Sequence, residues 1–206
     1  MNVRVAGRKY RMERKGRDTR KRIIEESMRL FSNQGFSAVS IREIADAVGV
    51  GNSALYKHFR SKKEILEEIT TYSVSYFQEM GKRQMMRIQS EEDLVSVCFS
   101  MFAFQTEDEW MVMFRKLLLV EQFRNPEMRE IYQQFFIELP VQSQTVLFES
   151  LMEKGLMRQG NARVLAMELY APFYLYHLAS DARADLKELF AEHVRIFWEA
   201  NITASP

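Results

Sequence analysis

The chain has 206 residues, 47% hydrophobic and 28% charged, which is enough apolar material for a core and too much for a disordered polymer. Its longest aliphatic run, Leu117 to Val120, falls far short of a membrane span, and a lone Cys98 excludes an internal disulfide and a cysteine-built metal cluster. The net charge of +1 hides an asymmetry: residues 1–63 hold 16 Lys/Arg against 6 Asp/Glu, and residues 64–206 hold 13 against 22, as expected of a nucleic-acid module on a differently charged body.

The N-terminal stretch MNVRVAGRKYRMERKGRDTRKR, residues 1–22, carries ten Lys/Arg and two acids, with glycines at 7 and 16 and no apolar periodicity. It reads as a basic arm over residues 1–17 that lies along phosphates or enters a minor groove. No apolar segment follows that would make it a secretory leader, so a soluble, cytoplasmic protein is expected. Asp18 or Thr19 can cap a first helix, along which Ile24, Ser27, Met28 and Phe31 follow at helical spacing until Gly35 ends it. Ser40 and Glu43 have capping-box spacing and open a second helix, Ile41 to about Val48, which Gly49 turns off in the left-handed conformation. A third short helix opens on Gly51, Asn52, Ser53 and Ala54 and closes on Tyr56, Lys57 and His58. Ser61 and Glu64 form a second capping-box pattern at the head of a fourth helix, which can continue to about Gly81 as a connector.

Three short helices over residues 18–60, the second and third joined by a tight turn at Gly49, make the helix-turn-helix pattern. Ile44, Ala45, Val48, Val50, Leu55 and Phe59 supply the apolar positions that hold them together. Leu55 and Phe59, four apart, share a buried face, which turns Ser53, Tyr56, Lys57 and Arg60 outward. The outward side of the second helix of such a motif is the one that enters a major groove. Small residues at its start allow close approach to the groove floor, and Tyr56, Lys57 and His58 at its end suit the phosphate ridge.

Residues 19–66, TRKRIIEESMRLFSNQGFSAVSIREIADAVGVGNSALYKHFRSKKEIL, resemble the TetR/AcrR family of transcriptional regulators. The resemblance runs without gaps through LF…GF, SIREIADAVGV, LYKHF and SKKEIL, and covers about a quarter of the chain. It departs at Ser27, where the family usually has alanine, and at Gly51, where a serine or threonine often caps the recognition helix. Asn52 is therefore left with two roles, capping the third helix or reading a base. Carried over residue by residue, the resemblance implies that Ser40 and Arg42 touch phosphate or a base edge. It implies that Asn52, Ser53 and Ala54 face the bases, and that Tyr56, Lys57, His58 and Lys62 contact phosphates.

The helix-turn-helix domain is thus expected over residues 18–66, with a second, all-helical domain over 85–206. In the latter, Ser90 with Asp93 caps a helix to about Gln105, and Trp110 to Phe123 forms another. Asn125 with Pro126 starts a third, broken or kinked at Pro140 and ended by Gly155. Asn161 caps a helix to about Ser180, kinked at Pro172. Asp185 opens the last, with Leu186, Leu189, Phe190, His193 and Phe197 on one stripe. The fold class is all-α, with about nine helices. The resemblance implies that the last two pair with a second copy as a four-helix bundle, and that aromatic and Met-rich helices enclose an effector. Trp110, Phe114, Tyr174 and His177 are the candidate lining residues, because they join apolar bulk to a polar tip or a flat ring; each is also an ordinary core residue by type.

Three histidines, His58, His177 and His193, lie at no metal-ligand spacing, and no HExxH, GxSxG or phosphate-binding glycine loop occurs. Neither enzyme activity, metal nor cofactor is expected. The expectation that the resemblance implies is a dimeric regulator that binds double-stranded DNA at inverted repeats, a repressor released by a small apolar or aromatic effector. The alternatives are a DNA-binding regulator that answers to a protein partner and a helical enzyme.

Overall fold

The computed structural model describes residues 19–85, 91–178 and 184–203, with side chains for 19–83, 96–175 and 188–203. The basic arm, Asp18, Ser90 and the side chains of Asp93, His177, Asp185 and Leu186 lie outside what is described. Within them the elements are α1 (Thr19–Gln34), α2 (Ile41–Val48), α3 (Asn52–Tyr56), α4 (Lys62–Met85), α5 (Glu91–Glu107), α6 (Glu109–Glu121), α7 (Pro126–Gln133), a π-helical turn (Gln134–Glu138), α8 (Leu139–Glu153), α9 (Ala162–Leu178) and α10 (Ala184–Asn201). Residues 126–153 form one continuous helical run, so the described residues hold nine helices and no named strand.

The chain divides into two units. The first takes the described residues up to Met80 together with Glu107–Glu130; the second takes Gly81–Thr106 and the residues from Ile131 onward. The helix α6 therefore belongs with the helix-turn-helix rather than with the domain expected over 85–206. Its apolar residues Met111, Phe114, Leu117 and Leu118 are buried, and it packs on α1. Tertiary packing decides this, since an apolar helix reads the same in either unit.

Local chemistry explains the first unit's boundaries. Gly35 and Gly49 take φ of 84° and 74°, a region that favours glycine, and end α1 and α2. The Ser40 hydroxyl accepts the N–H of Glu43 at 3.2 Å, and the Glu43 carboxylate accepts the N–H of Ser40 at 2.7 Å, so the capping box is complete. On α1 the buried stripe is Ile23, Ser27, Met28 and Phe31, so Ile23 rather than Ile24 heads it. The second capping box forms only in half. The Ser61 hydroxyl accepts the N–H of Glu64 at 3.1 Å, but the Glu64 carboxylate reaches one residue further and accepts the N–H of Arg60 at 2.6 Å. Gly81 does not stop α4, which runs four residues past it. The start of α6 is set by Asp108, whose carboxylate accepts the N–H of Met111 at 3.0 Å and the phenol of Tyr76 at 2.8 Å. Phe123 lies beyond the end of α6 and is exposed.

The second unit is an aromatic core. Phe102 and Phe190 stack with ring centroids 4.0 Å apart, and Phe148 meets Trp198 edge to face at 5.8 Å. A polar contact runs through it, the Tyr170 phenol donating to Gln105 Oε1 at 3.2 Å. Asn125 caps α7 by accepting the N–H of Glu127 at 3.0 Å, and Asn161 caps α9 by accepting those of Arg163 and Val164, both at 3.1 Å. Pro140 does not break the run from 126 to 153. A π-helical turn precedes it, where the N–H of Leu139 reaches back five residues to Gln134. On α10 the expected single stripe divides: Phe190, Val194, Phe197 and Trp198 are buried, whereas Leu189 is exposed, because it sits one position off that face.

Candidate nucleic-acid interface

The apolar side of the helix-turn-helix is shut. Ile44, Ala45, Val48, Leu55 and Phe59 are each no more than 1% exposed. Burying side chains of this size stabilises by about 1.5–3 kcal/mol each for the larger ones, so three short helices that would be marginal alone are held as one body.

Polar ties fix the same body. Arg20 of α1 donates to the carbonyl of His58 at 2.8 Å, pairs with Glu68 of α4, and lies 4.2 Å from the centroid of the Phe59 ring. Arg22 donates to the carbonyl of Val48, the last residue of α2. Both arginines fall within the basic stretch 1–22, yet they serve the fold. No local pattern announces this, because their partners lie 26 to 48 residues away.

The opposite side carries the residues expected to meet DNA. Ser40 is exposed at the cap of α2. Its two hydrogen bonds, side chain first and then backbone, hold the Glu43 carboxyl below the ordinary range. The Arg42 side chain is 82% exposed and only loosely paired with Asp46, one turn on, at 3.9 Å. Asn52 and Ser53 are exposed at the start of α3, with Ala54 half-buried behind them. Asn52 is not the cap. Gly51 takes that position with φ −75° and ψ 153°, and no side chain caps the helix, so the Asn52 amide stays on the outer face. Tyr56 closes α3 and is 52% exposed; Lys57 is exposed in the turn that follows, and His58 is half-buried there.

Lys62, expected at a phosphate, is engaged by the chain itself. Its ammonium donates to the carbonyls of Phe36 at 2.7 Å and Val39 at 2.6 Å. Burial pushes it below the usual lysine range, against the attraction of Glu121 and Glu43. An ammonium has three donors, and a loop whose carbonyls lack helical partners occupies them here.

Three of the four candidate effector residues are in the described set. Trp110 and Phe114 are buried in the first unit, and the Trp110 indole donates to Ser73 Oγ at 2.8 Å. Tyr174 is half-buried in the second unit and donates to the carbonyl of Phe136 at 3.1 Å. Trp110 and Phe114 fall within the first unit, and Tyr174 and the backbone of His177 within the second.

A closed apolar side, a polar and basic outer side, and a second helix with exposed amide and hydroxyl groups and an exposed ammonium just beyond its end define a helix-turn-helix module. Residues 23–69 match the family model described as bacterial regulatory proteins, tetR family. The HTH-type transcriptional regulator AcrR of Shigella flexneri is 40% identical over 68 residues, 33% of this chain and 32% of that protein. The HTH-type transcriptional regulator YerO of Bacillus subtilis is 36% identical over 129 residues, 58% of this chain and 41% of that protein. The chain thus matches less than half the length of either curated relative. Among solved structures, a complex of SmeT with triclosan superposes with a TM-score of 0.64 at 20% identity, covering 91% of this chain and 93% of that one. SmeT is the repressor of the Stenotrophomonas maltophilia multidrug efflux pump SmeDEF. Residues 23–69 thus match the DNA-binding region of tetR-family regulatory proteins, and the chain as a whole shares the all-helical fold of solved structures of that kind.

Proposed function

We propose that the protein is a dimeric regulator that reads an inverted-repeat operator with the outer faces of α2 and α3. It represses while bound, and a small apolar or aromatic effector releases it. The observation that carries the reading is the outer face itself: Arg42, Asn52, Ser53, Tyr56 and Lys57 stand exposed together on a helix-turn-helix whose other side is closed. Asn52 suits adenine, Ser53 either kind of base edge, Ala54 a thymine methyl and Arg42 guanine. Ser40, Tyr56, Lys57 and His58 suit phosphates, which set register without reading sequence. Lys62 is left out of this set.

Two further observations support the finer parts. Val164, Met167, Ala171 and Leu175 form an exposed stripe on α9, and Leu189 and Ile196 form one on α10. Apolar stripes on paired surface helices fit an isologous four-helix contact with a second copy, which also supplies the second recognition helix. Two such helices must stand about 34–36 Å apart, or a multiple, to enter successive major grooves. An effector that favours another spacing lowers DNA affinity by linkage. The aromatic second unit, with the polar tips of Tyr170, Gln105 and Tyr174 inside it, supports an apolar effector bearing a few hydrogen-bonding groups. SmeT with triclosan is an example of such chemistry on this fold. A cytoplasmic location fits a DNA-binding role, and no helix among the described residues is long and apolar enough to cross a membrane.

Selection from random duplexes, with sedimentation of the free protein, tests the reading. Enriched inverted repeats and a sedimenting dimer are expected; no enriched sequence, or asymmetric half-sites bound by a monomer, refutes it. If apolar compounds stabilise the protein yet never change its DNA affinity, control by a protein partner replaces control by an effector.

A further inference from the structure

The loop between α1 and α2, residues 35–40, leads directly into the cap of α2 and is gripped from two sides. From α6, the carboxylate of Glu121 accepts the backbone N–H of Phe36 at 2.9 Å, although Glu121 is only 3% exposed. The same oxygen lies 3.3 Å from the place where a Cβ on residue 35 would stand, and Gly35 also has φ 84°. The glycine thus serves both the turn and the close approach of the carboxylate. From α4, the Lys62 ammonium takes the carbonyls of Phe36 and Val39 and lies 4.4 Å from the centroid of the Phe36 ring. A buried carboxylate is costly unless hydrogen-bonded and offset by charge; here the Phe36 N–H supplies the hydrogen bond and the Lys62 ammonium an electrostatic attraction. An apolar residue would fill this position on α6 at less cost, so the choice of Glu calls for a reason beyond packing.

We infer that Glu121 is a positioning residue for DNA binding. It pins the N–H of Phe36 from α6 while Lys62 pins the carbonyls of the same loop from α4. Between them they set where Ser40 stands, hence where α2 starts and how α2 and α3 present their outer faces. Glu121 touches no base or phosphate in this account. The inference rests on the DNA-reading function proposed above.

Electrostatics gives the opposite sign, which makes the idea testable. Removing an acid from a DNA-binding unit tightens binding or leaves it unchanged if charge alone matters. Removing a positioning group weakens it. Glu121→Ala and Glu121→Gln both remove the charge, but only the first removes the acceptor for Phe36. The full-length variants are titrated with the duplex that the wild type selects, well below their melting temperatures, and amide exchange at Phe36 is followed in the absence of DNA. A Phe148→Leu variant in the second unit serves as a control for lost stability.

The expected result is binding about tenfold weaker for Glu121→Ala, the scale of one charge-assisted hydrogen bond. Glu121→Gln stays within about twofold of wild type, and the control is unchanged. Phe36 exchanges faster only in Glu121→Ala. The inference is overturned if Glu121→Ala binds as tightly as wild type or tighter, if Gln and Ala weaken binding equally, or if Phe36 stays protected in the alanine variant. If the wild type enriches no duplex, the DNA reading and the positioning role both fall. The exchange data then still report whether Glu121 anchors the loop, so the two failures are distinguishable.

Discussion

The phenol of Tyr174 on α9 donates to the carbonyl oxygen of Phe136 at 3.1 Å, and Phe136 is the residue four places before Pro140. Proline has no N–H, so that carbonyl loses its α-helical donor. Tyr174 supplies a donor from a neighbouring helix, and the π-helical turn at Gln134–Glu138 takes up the misfit in the ladder. A side chain that reads as a ligand contact by composition thus also has a structural duty.

Tyr174→Phe is expected to lower stability by about 1 kcal/mol, the usual net value of one hydrogen bond plus the cost of an unsatisfied acceptor. Pro140→Ala restores the N–H. In that background Tyr174→Phe should cost clearly less, and urea denaturation of the four proteins gives the coupling. An undiminished cost in the alanine background would show that the phenol serves something other than the proline-freed carbonyl. Burial first, and then Tyr132, raise the Tyr174 phenol to about 12. The unfolded phenol ionises nearer 10. Its contribution is therefore complete below about pH 10 and is lost as pH climbs toward 12, and Tyr174→Phe should flatten that part of the stability profile.

Ser27 is fully buried on α1, and its hydroxyl has no hydrogen-bond partner. The family resemblance places alanine here, and the geometry gives the reason. Ser27→Ala removes an unsatisfied polar group without opening much space, so it should raise stability by up to about 1 kcal/mol. A loss of stability on thermal unfolding would mean that the hydroxyl is satisfied after all.

What could be read in the sequence follows from the range of each signal. Ser40 with Glu43, Gly49, Asn125 with Pro126, and Asn161 act on residues within a few places of themselves, so those boundaries were legible. Arg20, Lys62 and Glu121 act across tens of residues. By composition the first two look like phosphate ligands and the third like an ordinary surface acid. The same limit hid the grouping of α6 with the DNA-binding unit, which left Trp110 and Phe114 as core residues there. It also hid the outward turn of Leu189, one position from the buried Phe190. Only packing tells adjacent apolar positions on a helix apart.

Cys98 sits at the edge of the aromatic core, and burial pushes its thiol up to about 12. The thiolate is the reactive form, so at neutral pH the native protein should alkylate far more slowly than the unfolded chain. Mass spectrometry after iodoacetamide treatment, with and without urea, measures this. Rapid labelling of the native protein would mean that the second unit opens readily around α5.

The exposed stripes on α9 and α10 give a separate expectation. Met167 and Leu189 are 56% and 60% exposed, so Met167→Glu and Leu189→Glu should change the stability of the single chain by no more than about 0.5 kcal/mol. Either should shift sedimentation from dimer to monomer and weaken binding to a two-site duplex, because the second recognition helix is lost. A dimer that survives both substitutions lies on another surface.

The basic arm can be weighed against the folded unit. Removing residues 1–16 takes away six Lys/Arg and one acid and leaves Arg20 and Arg22, which hold the fold. DNA binding should weaken and its salt dependence flatten, since fewer counterions are released, while the melting temperature stays the same. An unchanged salt slope would leave the arm without a phosphate role.

The central claim is that the outer face of α2 and α3 reads DNA, and repeating the random-duplex selection with Arg42→Ala and with Lys57→Ala tests it most directly. Arg42→Ala should lose preference at one position in each half-site, at about 1–3 kcal/mol per good contact, while Lys57→Ala should keep the motif and weaken all sequences alike. If both variants keep wild-type affinity and the wild-type motif, the outer face of α2 and α3 is not the reading surface.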